Sequence, residues 1–206
     1  MGSLVGSIQA QIIPHDRFEM IIVDDGSQDD TEIVVRELKA SVDFELRYLS
    51  QENMGPGAAR NLGMNHARGD LFLFTDSDCE PDPEWAKRIH DQYVAEEFDA
   101  CGGPDASKQD FTPLQRAIDF SMTSFLTTGG LRGHGSRALA RFYPRSHNMG
   151  MTRRLYEKVG GFGSLRHGQD IELSHRIIKS GARVIHIPDA VVYHRRRTSL
   201  MRFFRQ

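Results

Sequence analysis

Two pairs of acidic side chains follow apolar runs in this sequence of 206 residues. Asp24 and Asp25 come directly after the run FEMIIV, and Asp76 and Asp78 come just after the run LFLF. If both runs are strands of one parallel sheet, the four carboxylates lie at the same edge. Converging carboxylates repel one another unless a cation lies among them, and oxygen ligands favour Mg²⁺ or Mn²⁺. The sequence therefore predicts a bound Mg²⁺ or Mn²⁺, although each motif alone is also an ordinary turn sequence.

Further candidates for chemistry lie in the second half of the chain. Asp170 stands in the segment GQDIELS at the start of a helical pattern, where a transferase could keep a general base. Aspartate is also common at helix starts for structural reasons. His194 follows an apolar segment and can supply a nitrogen ligand to the cation. The arginines that follow it, Arg195 to Arg197, can offer counter-charge to a diphosphate or contact anionic lipid headgroups, and the sequence leaves both roles open.

Alternating strands and helices must position these residues. The helix that begins near Asp30 carries Ile33, Val34 and Leu38 as its apolar positions. This alternation predicts an α/β fold with polar loops at the carboxyl ends of the strands. The predicted strands are 18–23, 44–49, 71–74, 183–187 and the extended segment 190–193, and the other predicted helices are 58–67, one starting at 82–84, 152–159 and 170–180.

Composition and charge exclude several classes of protein. The chain is 39% hydrophobic and has two cysteines, which is ordinary for a globular domain in a reducing compartment. Residues 1–104 carry 21 acidic and 8 basic side chains, and residues 105–206 carry 7 and 18. This asymmetry is typical of a cleft between carboxylates that hold a cation and arginines that meet an anion, or of two solvated faces. Stacking aromatics are not interleaved with the arginines, so we expect no nucleic-acid partner.

Five motifs follow one another along the chain: Asp24-Asp25-Gly26-Ser27, Gly57-Ala58-Ala59-Arg60-Asn61, Asp76-Ser77-Asp78, Gly160-Gly161-Phe162 and Gln169-Asp170-Ile171-Glu172. In this order and spacing they resemble the motifs of the family 2 inverting glycosyltransferases with the GT-A fold. The resemblance covers nearly the whole chain. It implies a Rossmann-like open sheet with helices on both faces, and transfer of a sugar from a nucleotide-sugar donor, often a UDP-sugar, to a glycan or lipid-linked acceptor.

The resemblance also implies a role for individual residues. Asp170 would be the catalytic base that deprotonates the acceptor hydroxyl. Asp76 would contact the ribose or the metal ion, and Asp78 would coordinate the metal ion together with His194. The donor-binding residues would be Asp24, Asp25, Arg60, Asp76, Asn148 and Arg195.

The chain departs from the family pattern at its start. Relatives open with an apolar strand, whereas Ser7–Pro14 of this chain resembles the end of the helix that follows that strand. We therefore expect the N-terminal strand to be missing and its neighbours to lack a pairing partner. Gln169 stands where many relatives have Glu. The Gln-x-x-Arg-Trp motif of processive synthases is absent, since Trp85 is the only tryptophan, so we expect an enzyme that adds a single sugar.

These observations lead to one main hypothesis and several alternatives. We expect one glycosyltransferase-like domain over residues 1–206, with a nucleotide-sugar-binding half (1–104) and an acceptor-binding half that carries the base (105–206). We expect it in the cytoplasm, at the inner face of the membrane through its basic C-terminal segment. The main alternative is a truncated, inactive module that binds a nucleotide or a partner. A haloacid-dehalogenase phosphatase would have Thr or Val where Glu80 stands, and a sugar nucleotidyltransferase would have a Gly-rich opening loop with a lysine.

Overall fold

Helices and strands alternate along the part of the chain that the structure describes. The computed structural model describes residues 1–106, 142–165 and 167–194, together with positions 112 and 120. The helices are α1 (Gly2–Gln9), α2 (Thr31–Ser41), α3 (Pro56–His66), α4 (Trp85–Glu96), α5 (Arg153–Val159) and α6 (Gln169–Lys179). The strands are β1 (Glu19–Asp24), β2 (Glu45–Ser50), β3 (Leu71–Phe74), β4 (Cys79–Pro81), β5 (Ala100–Gly102), β6 (Asp105–Ala106), β7 (Met149–Thr152), β8 (Val184–His186) and β9 (Val192–His194). The predicted α/β class is confirmed.

Within the part of the chain that the structure describes, the strands form three small open sheets. β1 pairs in parallel with β2, and a four-stranded sheet has the order β3-β7-β5-β8. β7 is antiparallel to both β3 and β5, whereas β8 is parallel to β5. The third sheet has the order β4-β9-β6, with β9 antiparallel to β4 and parallel to β6.

The prediction that both acidic motifs end strands of one parallel sheet is wrong. Among the described residues, no ladder joins β1 to β3: β1 pairs only with β2, and β3 pairs only with the antiparallel strand β7. Each of these two strands therefore has a described partner on one side only. The acidic loops are held near the other elements by helices and side chains rather than by a shared backbone ladder.

Helices pack on both faces of β3. Leu71 and Leu73 pack against one hydrophobic cluster, which contains residues of α1, α2 and α4. Phe72 and Phe74 belong to a second cluster, which contains Met64 and residues of α5 and α6. Successive side chains of a strand point to opposite faces, so this alternation places β3 between two layers of helices.

The face that α2 turns to the core differs from the prediction. The helix itself is confirmed, but its buried residue is Val35, and Leu38 packs beside it. Ile33 and Val34 are 56% and 38% exposed. Three apolar residues in succession allow two positions for the apolar stripe, and contact with the core selects Val35 and Leu38, which lie three residues apart.

A buried amide connects three distant segments of the chain. Asn148, only 1% exposed, accepts a hydrogen bond from the indole N–H of Trp85 at 2.8 Å. Its Nδ2 donates to the carbonyl oxygens of Pro104 at 3.0 Å and Ala190 at 2.8 Å. All three partners are buried, so each hydrogen bond satisfies a group that water does not reach.

We predict that Asn148→Ala lowers the free energy of unfolding by about 2–4 kcal/mol, because it leaves the buried indole N–H of Trp85 and the buried carbonyl of Ala190 unsatisfied, whereas the carbonyl of Pro104 keeps its hydrogen bond from Val192 N. Urea unfolding followed by the fluorescence of Trp85, the single tryptophan, measures this change directly at the affected site. The exposed Asn53 provides the control, and Asn53→Ala should change stability by less than about 0.5 kcal/mol. Equal effects of the two substitutions would contradict the structural role of Asn148.

Candidate functional site

Asp25 fixes the loop after β1 to the start of α3. Its carboxylate accepts hydrogen bonds from the backbone N–H groups of Met54 and Gly55, each at 2.8 Å, and from Gln51 Nε2 at 2.7 Å. Gly55 is the N-cap of α3 and has φ +91°, a conformation that favours glycine. Burial acts to raise the pKa of Asp25, but these hydrogen bonds together hold it below its usual value. The carboxylate therefore positions the helix on which Arg60 lies.

Asp24 is held by a second set of donors. Its carboxylate accepts from Ser27 N at 2.8 Å and from the hydroxyl of Tyr48 on β2 at 2.6 Å. Burial acts to raise the pKa of Asp24, and the hydrogen bonds from Tyr48 and Ser27 outweigh it, so the pKa is lowered. The same hydrogen bond to Asp24, with burial, raises the pKa of Tyr48 to about 12. Both acids of the first motif are thus engaged by the protein itself.

The two aspartates of the second acidic motif, Asp76 and Asp78, have different partners. Arg60 on α3 donates to Asp76 at 2.7 Å, and its guanidinium lies 5.3 Å from the ring centre of Phe162. Asp76 therefore already has a cationic partner. Asp78 instead lies beside His194, with its Oδ2 3.2 Å from the imidazole Nε2. This hydrogen bond holds the pKa of Asp78 below its usual value.

Asp78, Cys79 and His194 form the group that could hold a cation. One ligand atom from each residue lies within 4.8 Å of the other two. The donor set of carboxylate, thiol and imidazole fits a divalent metal ion, because all three atoms can coordinate one when deprotonated. Without a metal ion, burial raises the pKa of the Cys79 thiol to about 12, so the sulfur is protonated at neutral pH. Among the predicted metal ligands, the structure brings Asp78 and His194 together and leaves Asp76 with Arg60.

A second histidine extends this cluster toward the buried interior. The rings of His147 and His194 lie 5.4 Å apart and are tilted by 32°. His147 Nε2 lies 3.7 Å from a carboxylate oxygen of Asp105, which is 4% exposed. The sequence analysis did not identify His147 or Asp105 as part of this cluster, because both are distant from His194 in sequence; the pairing of β6 with β9 brings Asp105 close to His194.

The predicted base, Asp170, lies in the first turn of α6. Its Oδ2 is 2.9 Å from Nε of Arg145, and its Oδ1 accepts from the backbone N–H of Ile171 at 2.9 Å. The side chain is 16% exposed. Arg145 precedes β7 in a stretch rich in glycine and arginine, where no pattern of the sequence distinguished it from its neighbours.

Helix α3 also contacts the half of the chain that carries Asp170, the predicted base. A Cβ placed on Gly57 would lie 2.6 Å from Oε1 of Gln169, the residue before Asp170. Asn61 donates from Nδ2 to the carbonyl oxygen of Phe162 at 2.9 Å and accepts from the N–H of Phe162 at 2.8 Å. The first two turns of α3 thus contact the loop of Asp25, the loop of Asp76 and the start of α6.

Two predicted donor-binding residues stand apart from this arrangement. Asn148 is buried, and its amide is fully used by Trp85, Pro104 and Ala190, so no amide atom faces a ligand. Arg195 lies outside the described residues. A groove of about 530 Å³ runs along the outer side of α6, and none of the predicted donor-binding residues lines it.

Comparison with known proteins gives the family and the fold. The sequence model of the family described as glycosyl transferase family 2 matches residues 2–160. Glycosyltransferase AglE of Haloferax volcanii is 30% identical over 99 residues, which are 48% of this chain and 33% of AglE. The chain thus spans about a third of that relative.

Two solved structures are similar over almost the whole chain. One is the mannosyltransferase PcManGT from Pyrobaculum calidifontis in complex with GDP-Man and Mn²⁺, with a TM-score of 0.76 and 24% identity over 99% of this chain and 55% of that one. The other is residues 1–349 of S. aureus TarS in complex with UDP-GlcNAc, with a TM-score of 0.70 and 21% identity over 96% and 55%. These likenesses confirm the predicted GT-A fold.

We predict that the hydroxyl of Tyr48 titrates near pH 12 in the folded protein. Because the raised pKa belongs to the folded state, the hydrogen bond to Asp24 contributes fully to stability below about pH 10, and its contribution is lost as the pH rises toward about 12. Phenolate absorbance during a pH titration should show one tyrosine fewer near pH 12 in Tyr48→Phe. The control Tyr156→Phe, whose hydroxyl donates to Asn65, should leave that titration in place.

Proposed function

Because the chain belongs to glycosyl transferase family 2, we propose that it transfers a sugar from a nucleotide-diphosphate sugar to an acceptor hydroxyl with inversion. One observation carries this proposal: the first two turns of α3 contact Asp25, Asp76 and the start of α6. A donor and a base must be held at fixed positions for an in-line displacement, and a single rigid helix end between them meets this need. The chain spans about a third of the length of AglE and 55% of the length of PcManGT, so the activity, the substrates and the partners are all proposed.

The donor we propose is a UDP-sugar, with a GDP-sugar as the alternative. One of the two similar structures is a complex with GDP-Man and the other a complex with UDP-GlcNAc, which supports a nucleotide sugar and leaves the nucleotide open. Arg60 is the cation of this chain placed to meet the donor, because it lies at the start of α3 between Asp76 and Phe162. Asp24 and Asp25 would shape the nucleotide pocket through the loops that they hold.

Asp78 and His194 would hold the Mg²⁺ or Mn²⁺ ion. When bound, the ion supplies positive charge to the diphosphate that leaves. Asp78 carries the negative charge for this task, and His194 lies 3.2 Å from it. Asp76 is paired with Arg60. It would contribute to donor binding by holding the guanidinium of Arg60 in place.

Asp170 would accept the proton of the acceptor hydroxyl as the hydroxyl attacks the anomeric carbon. The proton moves to a carboxylate oxygen of Asp170, the new glycosidic bond forms, and the bond from the sugar to the diphosphate breaks. Arg145 would fix the orientation of the carboxylate through its contact with Oδ2. One positioned base of this kind contributes roughly 10²–10⁴-fold to the rate.

The acceptor we propose is a glycan or a lipid-linked sugar, with a single addition per encounter. Within the described residues, no helix combines the length and the apolar character that crossing a bilayer requires. We also propose contact with the inner face of a membrane through the basic C-terminal segment, which lies outside the described residues.

A non-catalytic module that binds a nucleotide or a partner is the second candidate. It is favoured by the two strands β1 and β3, each of which lacks a pairing partner on one side within the described residues. Hydrolysis of the donor separates the two candidates, because an active transferase releases some nucleotide diphosphate from its donor even without an acceptor. Screening nucleotide sugars by thermal shift in the presence of Mn²⁺ first identifies the donor, since a bound ligand raises the melting temperature.

We predict that Asp170→Asn lowers kcat by at least about 100-fold and leaves donor affinity within about twofold, because only the proton acceptor is removed. Steady-state rates at saturating donor, with donor affinity from calorimetry, give both quantities. Asp189→Asn makes the same change at an exposed position and should have no effect on either. Turnover close to the wild-type rate in Asp170→Asn would remove this residue from the role of base.

We predict that Asp78→Asn and His194→Gln each weaken donor binding at least about tenfold in the presence of Mn²⁺, because each substitution removes a ligand atom or its charge. Calorimetry with and without Mn²⁺ provides the measurement. Asp91→Asn, on the exposed side of α4, is the control and should bind donor as the wild type does. Donor affinity that does not depend on Mn²⁺ in the wild type would show that the metal assignment is wrong.

A further inference from the structure

The pairing of β4 with β9 brings the thiol of Cys79 to the proposed metal ligands. Cys79 and His194 lie directly opposite each other in this antiparallel pair. Directly opposed residues present their side chains on the same face of a sheet, about 4.5–5.5 Å apart at Cβ. Asp78 is the residue before Cys79, and the thiol approaches its Oδ1 with a sulfur–oxygen distance of 3.9 Å. The backbone register therefore makes this trio a fixed feature of the fold.

The first aspartate of the Asp76-Ser77-Asp78 motif does not take part in the trio. Asp76 is engaged by Arg60 at 2.7 Å, and the ligand atoms that lie within 4.8 Å of one another belong to Asp78, Cys79 and His194. A cation that binds Asp78 and His194 therefore meets a sulfur as its next protein ligand rather than a second carboxylate. Ligands of a tetrahedral Zn²⁺ lie about 3.4–3.8 Å apart, given bond lengths of 2.0–2.3 Å, so the trio needs to close by only about 1 Å.

Ligand chemistry then decides which cations the trio prefers. Mg²⁺ takes oxygen ligands, whereas Zn²⁺ and Co²⁺ accept mixtures of oxygen, nitrogen and sulfur. The thiol is protonated in the metal-free protein, and a metal ion that binds sulfur displaces that proton. A site of one carboxylate, one imidazole and one thiol therefore favours Zn²⁺ or Co²⁺ over Mg²⁺.

We propose that Cys79 is the third protein ligand of the Asp78–His194 site, so that this site selects thiophilic divalent cations over Mg²⁺. The inference rests on the proposed metal site and adds to it a ligand and a metal class. Cys101 is a buried cysteine without this role. Burial raises the pKa of its thiol to about 12 as well, but no contact among the described residues places a carboxylate or an imidazole beside it.

The spectrum of bound Co²⁺ tests this proposal without any measurement of activity. A cobalt–thiolate bond produces an intense near-ultraviolet charge-transfer band, whereas oxygen and nitrogen ligands give only weak visible bands. The 206-residue chain, titrated with Co²⁺, should show the charge-transfer band. The band should disappear in Cys79→Ser and persist in Cys101→Ser, which serves as the matched control. Zn²⁺ affinity, measured by displacement of Co²⁺, should fall at least about tenfold in Cys79→Ser, and Mg²⁺ affinity should not change.

The outcomes separate this inference from the proposed metal site. Visible Co²⁺ bands without the charge-transfer band in the wild type would overturn the role of Cys79 and leave the Asp78–His194 site standing. A charge-transfer band that persists in Cys79→Ser would likewise overturn the inference. No Co²⁺ bands at all would overturn both proposals. The presence or absence of the charge-transfer band is read from the wild-type spectrum. The test therefore holds even if Cys79→Ser fails to fold.

Discussion

The close packing of α3 against the start of α6 is the constraint on which the candidate site depends. Gly57 leaves no room for a Cβ beside Gln169, and the amide of Asn61 pairs with both backbone groups of Phe162. Because these contacts are tight and directional, the half of the chain that carries Asp170 cannot shift relative to the acidic loops without breaking them. The position of Asp170, the carboxylate proposed as the base, is thus set by a glycine and an asparagine more than 100 residues earlier in the chain.

The four carboxylates of the two motifs are stabilised by three kinds of partner. Backbone and side-chain donors surround Asp24 and Asp25, a guanidinium meets Asp76, and an imidazole lies beside Asp78. These contacts reduce the repulsion between the acids before any cation binds. Of the four acids of the two motifs, Asp78 is the one that lies beside a histidine.

The sequence predicted local structure better than it predicted which distant segments contact one another. Apolar runs placed β1 and β3 correctly, alternation placed β2, and Asp25 and Asp76, in the loops after β1 and β3, contact α3 and its N-cap. The continuity of the sheet was wrong, because ladder pairing depends on strands from distant parts of the chain. The same reason hid Arg145, His147 and the approach of Cys79 to His194. For Asn148 the motif was found, but only the burial of Trp85 and two carbonyls around it shows that its amide is fully occupied.

The separation of the strands into three sheets has a consequence for how the protein opens. Within the described residues, the β1–β2 pair is attached to the rest through packing and side-chain hydrogen bonds rather than through a backbone ladder. Such units can exchange their amide hydrogens independently, because opening one does not require breaking a ladder of the next. The β1–β2 pair, with the loop that carries Asp24 and Asp25, can thus open as a separate cooperative unit while the four-stranded sheet stays closed, at a free-energy cost below that of global unfolding.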